Sequence, residues 1–564
     1  MRILLLTHSF NSLSQRLFIE LKEAEHEVSV EFDINDAMTE EAISMFRPDC
    51  LVAPFLKRAI PESIWRRLPC FIVHPGVKGD RGPSALDWAI LTGARHWGVT
   101  VLQAEREMDA GPVWAAVDFP MRCATKSSLY RNEVTEAAIT AVFETLRRFE
   151  RGTFVPEQIS CSTWRPPMMQ RDRTIDWSTD STGVVLRKVR SADGNPGLKS
   201  RLCGHAVHLY DAHTAEGLNG KPGEIVGTSG PAIALATAGG AVWIGRLRDA
   251  ASPHPFKLPA TQVLRSSIGE VPDLPIDSAN GYREIFYEEV SGAGFLHFRF
   301  YNGAMSTSAC ERLLAAYRAA LLRPTRVLVL MGGPDFWSNG MDLNLIEAAD
   351  SPADESWRNI NAIDDLAEAI IRTDDRLVIA ALQGNAGAGG VFLARAADEV
   401  WLRQGVVLSP HYKDMGNLYG SEYWTYSLPR HSGAEVAAAI MARRLPMGPA
   451  QAIRDGLAEE RFAGTVLEFA NETRKRAIAF AASPNLEKRI AMKRAARESA
   501  EAAKPLAAYR EEELARMRLN FYGFDPSYHV SRYNFVRKIP KSRTPVTIAR
   551  HRDRRLQDLG RQAP

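Results

Sequence analysis

Short apolar runs alternate with amphipathic stretches over residues 1–103, and this rhythm restricts the chain more than any other feature. Residues 3–7, 28–32, 50–55, 70–74 and 98–103 read as strands, while 14–24 and 85–92 read as helices. Strands alternating with helices predict a parallel sheet covered on both faces, a doubly wound α/β layer. Ligands of such sheets sit at the carboxyl ends of the strands. His74 lies at one of those ends, just before the turn-forming Pro75-Gly76. With 564 residues the chain is too long for one core, so two to four domains are expected.

The pattern changes near Trp164-Arg165-Pro166-Pro167. Short β-type runs follow at 206–210, 223–226 and 241–246, with turns rich in Gly and Pro. They predict a small, OB-like barrel over 171–275 after a first domain of 1–170. Residues 251–274 are rich in Pro and Ser and read as a linker. A third block, 280–500, opens near Tyr282 with a strand at 295–300. A helix at 306–322 follows, with Ser306 or Thr307 as its cap, and then buried strands at 326–331 and 377–382. Residues 468–518 are rich in Ala, Glu and Arg and read as helical, leading into a C-terminal part over 501–564. Its tail is basic: Arg537, Lys538, Lys541, Arg543, Arg550, Arg552, Arg554 and Arg555. Two readings of that tail stand side by side: a solvated end, or a clamp on phosphates or on the N-terminal half.

Bulk properties exclude several classes. Hydrophobic residues make up 45% and charged residues 24%, with a net charge of +3, so a general nucleic-acid binder is not expected. No apolar run reaches membrane-spanning length, and the apolar start reads as a buried strand rather than a signal peptide. The six cysteines (Cys50, Cys70, Cys123, Cys161, Cys203, Cys310) lack CxxC spacing. That predicts no metal site and reduced thiols in a cytoplasmic protein.

Transfer of an acyl group passes through a tetrahedral intermediate. It needs a group to stabilise the oxyanion and a base for the nucleophile's proton. A histidine at a strand end, oriented by a carboxylate, supplies both, and His74 with Asp109 fits that description. Alone, a histidine such as His74 is more often structural, and an aspartate such as Asp109 more often a helix cap or turn residue. Their context runs from Leu51-Val52-Ala53-Pro54 through His74-Pro75-Gly76, Arg81-Gly82-Pro83-Ser84-Ala85 and Gly98-Val99-Thr100 to Met108-Asp109-Ala110-Gly111. It resembles the N10-formyltetrahydrofolate-dependent formyltransferases over roughly residues 1–270. Ile175-Asp176-Trp177 and Asn195-Pro196-Gly197 resemble the start of that family's C-terminal barrel. The resemblance implies folate binding beside His74 and Asp109, along Ile72, Arg81 and Gly82. It departs from the family at Ile72, where the pattern has an Asn that shares the oxyanion work. Loss of such a donor costs about 3 kcal/mol of barrier. A thiol acceptor fits this departure, because a thiolate needs less base assistance than an amine.

A second constellation lies in 336–343 (Phe336-Trp337-Ser338-Asn339-Gly340-Met341-Asp342-Leu343) and in Gln383-Gly384-Asn385-Ala386-Gly387-Ala388-Gly389-Gly390. Glycines let backbone N–H groups approach a thioester oxygen without an intervening Cβ. In this order the motifs resemble the crotonase (enoyl-CoA hydratase/isomerase) superfamily over roughly 285–500. The resemblance implies an α/β spiral fold, an oxyanion hole from the N–H groups of Met341 and Gly389, and thioester contacts at Gly340 and Gly390. The two glutamates of the hydratases fall at Phe392 and about Tyr412, so hydration is not expected. The 411–424 segment replaces them, and Tyr412 and Glu422 are its acid/base candidates; structural roles remain open for both.

The two halves in one chain are similar to the HypX/HoxX family of hydrogenase maturation factors, including Gly420-Ser421-Glu422-Tyr423-Trp424 and Asn520-Phe521-Tyr522-Gly523. That resemblance implies supply of the carbonyl ligand of the iron in [NiFe]-hydrogenase. N10-formyltetrahydrofolate would be the donor, coenzyme A the carrier, formyl-CoA the intermediate and CO the product. The implied protein partners are the immature [NiFe]-hydrogenase large subunit or its maturation proteins. Two other readings stand: a formyltransferase for a small amine or sugar with a degenerate second half, and a non-catalytic assembly scaffold.

Overall fold

The computed structural model describes residues 1–254 and 256–553. The first domain is a six-stranded sheet of β1 (Arg2–Thr7), β2 (Glu27–Phe32), β3 (Cys50–Phe55), β4 (Cys70–His74), β6 (His96–Gln103) and β7 (Val113–Pro120), with β5 (Asp80–Arg81) set apart. Its order is β2-β1-β3-β4-β6-β7. The first four strands are parallel, and β6 and β7 are antiparallel. The sheet is therefore wound as expected only through β4. The Ala85–Thr92 helix is not a crossover to a further parallel strand; β6 returns alongside β4 with Thr100 opposite His74. The first helix, Ser12–Glu23, is capped by Asn11 and buries Leu13, Leu17 and Leu21. Their i, i+4, i+8 spacing forms the apolar stripe that docks it.

The second domain is an antiparallel sheet of β9 (Leu198–Leu202), β10 (His205–Thr214), β11 (Ile225–Ser229), β12 (Ala232–Thr237), β13 (Gly240–Asp249) and β14 (Leu258–Pro259). The remaining short strand, β8 (Thr163–Trp164), pairs with β5. The order is β11-β12-β13-β10-β9 with β14 on β13, and the Thr182–Ala192 helix packs on it through Val185, Leu186 and Val189. The linker expected at 251–274 is corrected here. It contains β14 and the Ala260–Val263 helix, and Ala260 and Leu264, four residues apart, are both in the core. Two apolar anchors on one helical turn hold a segment whose composition otherwise reads as loop.

The third part has a six-stranded sheet, β15 (Ile285–Val290), β16 (Ala293–Phe298), β17 (Val327–Met331), β19 (Leu377–Leu382), β21 (Glu399–Arg403) and β23 (Glu460–Phe462). It is antiparallel only at β15–β16. A second, parallel sheet joins β18 (Phe336–Ser338), β20 (Asn385–Gly387) and β22 (Leu408–Ser409). Both glycine-rich motifs leave this small sheet. The helix at Thr307–Leu321 is capped by Ser306, whose hydroxyl accepts from Ala309 N. Residues 468–518 fall on three helices, Val466–Ala481, Leu486–Ala503 and Leu506–Tyr522, of which the last buries Met517 and Phe521 in the core of the third part.

The tail packs on the first domain through Thr544, Ile548 and His551, which are buried, while Lys538, Lys541, Arg543 and Arg550 are exposed. Ile548 O accepts from Val30 N at 3.0 Å and Thr544 Oγ1 from Phe32 N at 2.8 Å, covering the free edge of β2. Glu31, fully buried, receives Thr544 Oγ1 (2.7 Å) and Arg552 Nε (3.2 Å), with His551 Nε2 at 2.9 Å. This agrees with the clamp on the N-terminal half. Arg554 and Arg555 lie outside the described residues. Among the described residues no helix is long and apolar enough to cross a membrane.

Candidate active sites

Along β4, alternate residues share a face. Phe71 and Val73 point into one core, which leaves Ile72 and His74 on the other face. His74 is 4% exposed, with Nδ1 3.5 Å from Asp109 Oδ2 and Nε2 3.1 Å from Asp80 Oδ2. Each ring nitrogen thus faces a carboxylate. Asp109, at φ +53°, is fixed by Gly82 N, which donates to its Oδ2 at 3.0 Å. Asp80 is fixed by Arg165 Nε at 2.5 Å. Gly76 has to be small: a Cβ there would lie 2.3 Å from His74 Nε2. Arg81 donates to Met108 O at 3.0 Å and stacks over Trp164. Beside this group opens a cavity of about 420 Å³, lined among others by Asp80, Arg81, Thr100, Leu102, Glu107 and Asp109. His74, Asp109, Arg81 and Gly82 are thus brought together. Asp80 and Arg165 were not foreseen.

The second site forms where β18 and β20 end. Gly340 has φ +74°, and a Cβ on it would lie 3.5 Å from Gly389 N, so the two motif loops touch. Met305 N donates to Gly340 O (2.8 Å) and Asp342 N to Met305 O (3.3 Å). These bonds fix the backbone on both sides of Met341 without using its N–H. Gly389 opens the Gly389–Arg395 helix, where first-turn N–H groups have no partner within the helix. Ala388 before it is held at φ +47°, ψ −127°, a strained conformation for a residue with a Cβ. Glycine is required at 389 because a Cβ would meet Glu422 Oε1 at 2.0 Å, and at 390 because it would meet Ser338 O at 2.2 Å.

Glu422 is 1% exposed and accepts from Tyr412 Oη at 2.5 Å. Tyr412 stacks on Phe392 with ring centres 5.4 Å apart. Burial, then the charge of Asp364, pushes the Glu422 carboxyl up to about 8. Burial and Glu422 push the Tyr412 phenol well above its ordinary value. Around them lie Asp364 and Glu513, both fully buried. Burial pushes Asp364 up to about 6, and burial with Asp364 pushes Glu513 up to about 8.

The halves are joined by partly buried polar bonds. Ser128 Oγ and Asn132 Nδ2 donate to Asp335 at 2.7 and 2.9 Å, one residue before β18. Arg403 reaches Glu136 at 3.0 Å, and Arg246 of the second domain lies 3.8 Å from Asp342, beside Met341.

Family models match along the chain in the same order: "Formyl transferase" over 15–146, "Formyl transferase, C-terminal domain" over 167–257 and "Enoyl-CoA hydratase/isomerase" over 301–523. The hydrogenase maturation factor HoxX of Bradyrhizobium diazoefficiens is 56% identical over 559 residues, 98% of each chain. The chain belongs to the HoxX/HypX family of hydrogenase maturation factors. The crystal structure of HypX from Aquifex aeolicus in complex with tetrahydrofolic acid is 50% identical. It superposes with a TM-score of 0.95, covering 98% of this chain and 99% of that one. The methionyl-tRNA formyltransferase of Citrifermentans bemidjiense is 28% identical over 213 residues, 37% of this chain and 66% of that one. As a HoxX relative, the chain thus joins a formyltransferase part to a crotonase-like part, in a mixed α/β architecture with a helical C-terminus.

Proposed function

We propose that this maturation factor takes the formyl group of N10-formyltetrahydrofolate, passes it to coenzyme A and releases it as CO for the iron of [NiFe]-hydrogenase. The observation that carries the reading is Glu422, turned at Gly389 within one body with the carboxylate-flanked His74. In the first step the CoA sulfur attacks the formyl carbon. The C–N bond breaks, the folate nitrogen takes a proton, and formyl-CoA forms. His74 serves the proton transfer and the oxyanion, with Asp109 and Asp80 orienting its ring. The cavity beside them is large enough for a folate head group.

In the second step the thioester oxygen lies at the N–H groups of Met341 and Gly389. The Glu422–Tyr412 pair takes the formyl proton. The C–H electrons stay on carbon as CO forms, the C–S bond breaks, and the thiolate recovers a proton. CoA is regenerated, so the balance is formyl-tetrahydrofolate to tetrahydrofolate and CO. Phe392 in place of a glutamate removes one of the two carboxylates that hydration uses, which favours decarbonylation over hydration. The immature hydrogenase large subunit or its maturation proteins are the expected recipients, in the cytoplasm. The test is incubation with formyl-tetrahydrofolate and CoA, trapping CO on haemoglobin. CO that depends on both substrates is expected; no CO from the intact chain overturns the reading.

A further inference from the structure

The 421–425 turn that carries Glu422 is strained. Glu422 and Tyr423 stand consecutively at φ +60° and +57°, a left-handed conformation that persists only where the surroundings impose it. Two carboxylates impose it. Asp364, on the Pro352–Arg372 helix, receives Glu422 N at 2.8 Å and Ser421 Oγ at 2.8 and 2.7 Å. Glu513, on the Leu506–Tyr522 helix, receives Tyr423 N at 3.0 Å and Thr425 N at 2.8 Å. The oxygen that receives Tyr423 N, Oε2, also lies 3.3 Å from the same Ser421 hydroxyl. One serine thus stands between two buried acids directly behind a third.

We infer that Asp364 is a positioning residue for the second reaction: it holds Glu422 against Gly389 and, by its negative charge, makes Glu422 a stronger base. The inference rests on the proposed decarbonylation. A formyl C–H is a weak acid, so a carboxylate of ordinary basicity is poorly matched to it and a more basic one is better. Like charges held close in a low-dielectric site raise one another's proton affinity. The groups facing Glu422 are few. Tyr412 donates to it from the 411–424 segment, and Asp364 and Glu513 stand behind it. On the Thr307–Leu321 helix the Cys310 thiol feels its charge and is pushed up by burial. Arg510, whose charge bears on Asp364, is engaged by Asp365 at 2.7 Å and Glu368 at 3.2 Å. Glu368 in turn accepts from Tyr423 Oη at 3.0 Å.

The test is Asp364→Asn in the full chain, which keeps an oxygen for Glu422 N and removes the charge. With formyl-CoA supplied directly, CO release is measured against pH. Glu422 must be ionised to act, so the rate rises with pH through its titration. The acid limb is expected to move about one pH unit lower and the plateau to fall about tenfold. A plateau that falls with the limb unmoved overturns the inference and leaves Asp364 a structural residue. A wild-type protein that makes no CO overturns the decarbonylation reading instead. Infrared titration of the buried carboxyl bands reads the same coupling without turnover. In the wild type the band that is lost in Glu422→Gln is expected to ionise after that of Asp364, and a Glu422 band that ionises first overturns the inference even if Asp364→Asn fails to fold.

Discussion

The two sites treat carboxylates in opposite ways. Around His74, Asp80 and Asp109 each have a ring nitrogen and a further donor, Arg165 Nε or Gly82 N, and the group borders an open cavity. Around Glu422, three acids are sealed from water, and among the described residues their hydrogen-bond donors are hydroxyls and backbone N–H groups rather than cations. The first arrangement gives each carboxylate a donor at the edge of an open cavity, as suits a reaction that moves protons between large soluble cosubstrates. The second stores proton affinity in a dry pocket, as suits removal of a proton from carbon. The two sites therefore differ most in what solvent and pH do to them.

The largest expected effect separates them by substrate. His74→Ala should lower CO formation from formyl-tetrahydrofolate about 10²- to 10⁴-fold, yet leave CO release from added formyl-CoA intact. Loss of both activities would break the division of labour. Gly389→Ala places a Cβ where Glu422 Oε1 stands. Decarbonylation of added formyl-CoA should fall at least about tenfold while folate turnover to formyl-CoA continues, followed by chromatography of the thioesters.

Tyr412→Phe is subtler. The phenol favours ionised Glu422, so its removal should raise the pH at which Glu422 ionises and shift the acid limb of CO release upward. That is opposite to the shift expected for Asp364→Asn, and two shifts of the same sign would break the account.

The smallest effects are on stability, and again two regions differ in sign. The Asp364, Glu422 and Glu513 carboxyls are raised in the folded state. Their contribution is full below the unfolded carboxyl range and is lost as pH rises through about 6 to 8. At Glu31 burial alone pushes upward, but bonds from His551, Thr544 and Arg552 outweigh it and hold the carboxyl low. Its contribution is present above the unfolded range and is lost as pH falls through the folded value. Thermal midpoints of the wild type and Glu422→Gln should diverge on the alkaline side, and those of the wild type and Glu31→Gln should converge in acid. Thr544→Ala removes one bond to Glu31 and should cost about 1–3 kcal/mol in urea unfolding.

Much of this was legible in the sequence because β1, β3 and β4 are continuous apolar runs and the glycine motifs demand close backbone approach. Asp80 was not legible. It reaches His74 through a tight turn closed by Asp80 N to Val77 O, and its other partner is 85 residues away. Asp364 and Glu513 look like members of charged helix faces. Yet a signal was there: Glu513 shares the inward stripe of Leu506, Met517 and Phe521, and Asp364 that of Ile360, Ala367 and Ile371. An acid on an apolar stripe is costly to bury, and so points to chemistry or to a network. The tail was ambiguous for the converse reason, since its buried partner Glu31 sits within an edge strand whose other face is apolar.

That strand has a consequence for synthesis on the ribosome. Ser29 and its cover His551 are separated by 522 positions in the chain. At about 5–20 residues per second, on the order of a minute passes between translation of β2 and of the segment that closes it. Throughout that interval the nascent first domain presents an unpaired strand, the kind of edge on which chains join to one another. The cell's exposure to that hazard ends only when the last segment arrives, so a message cut short before the codon for Thr544 yields a product already primed to aggregate.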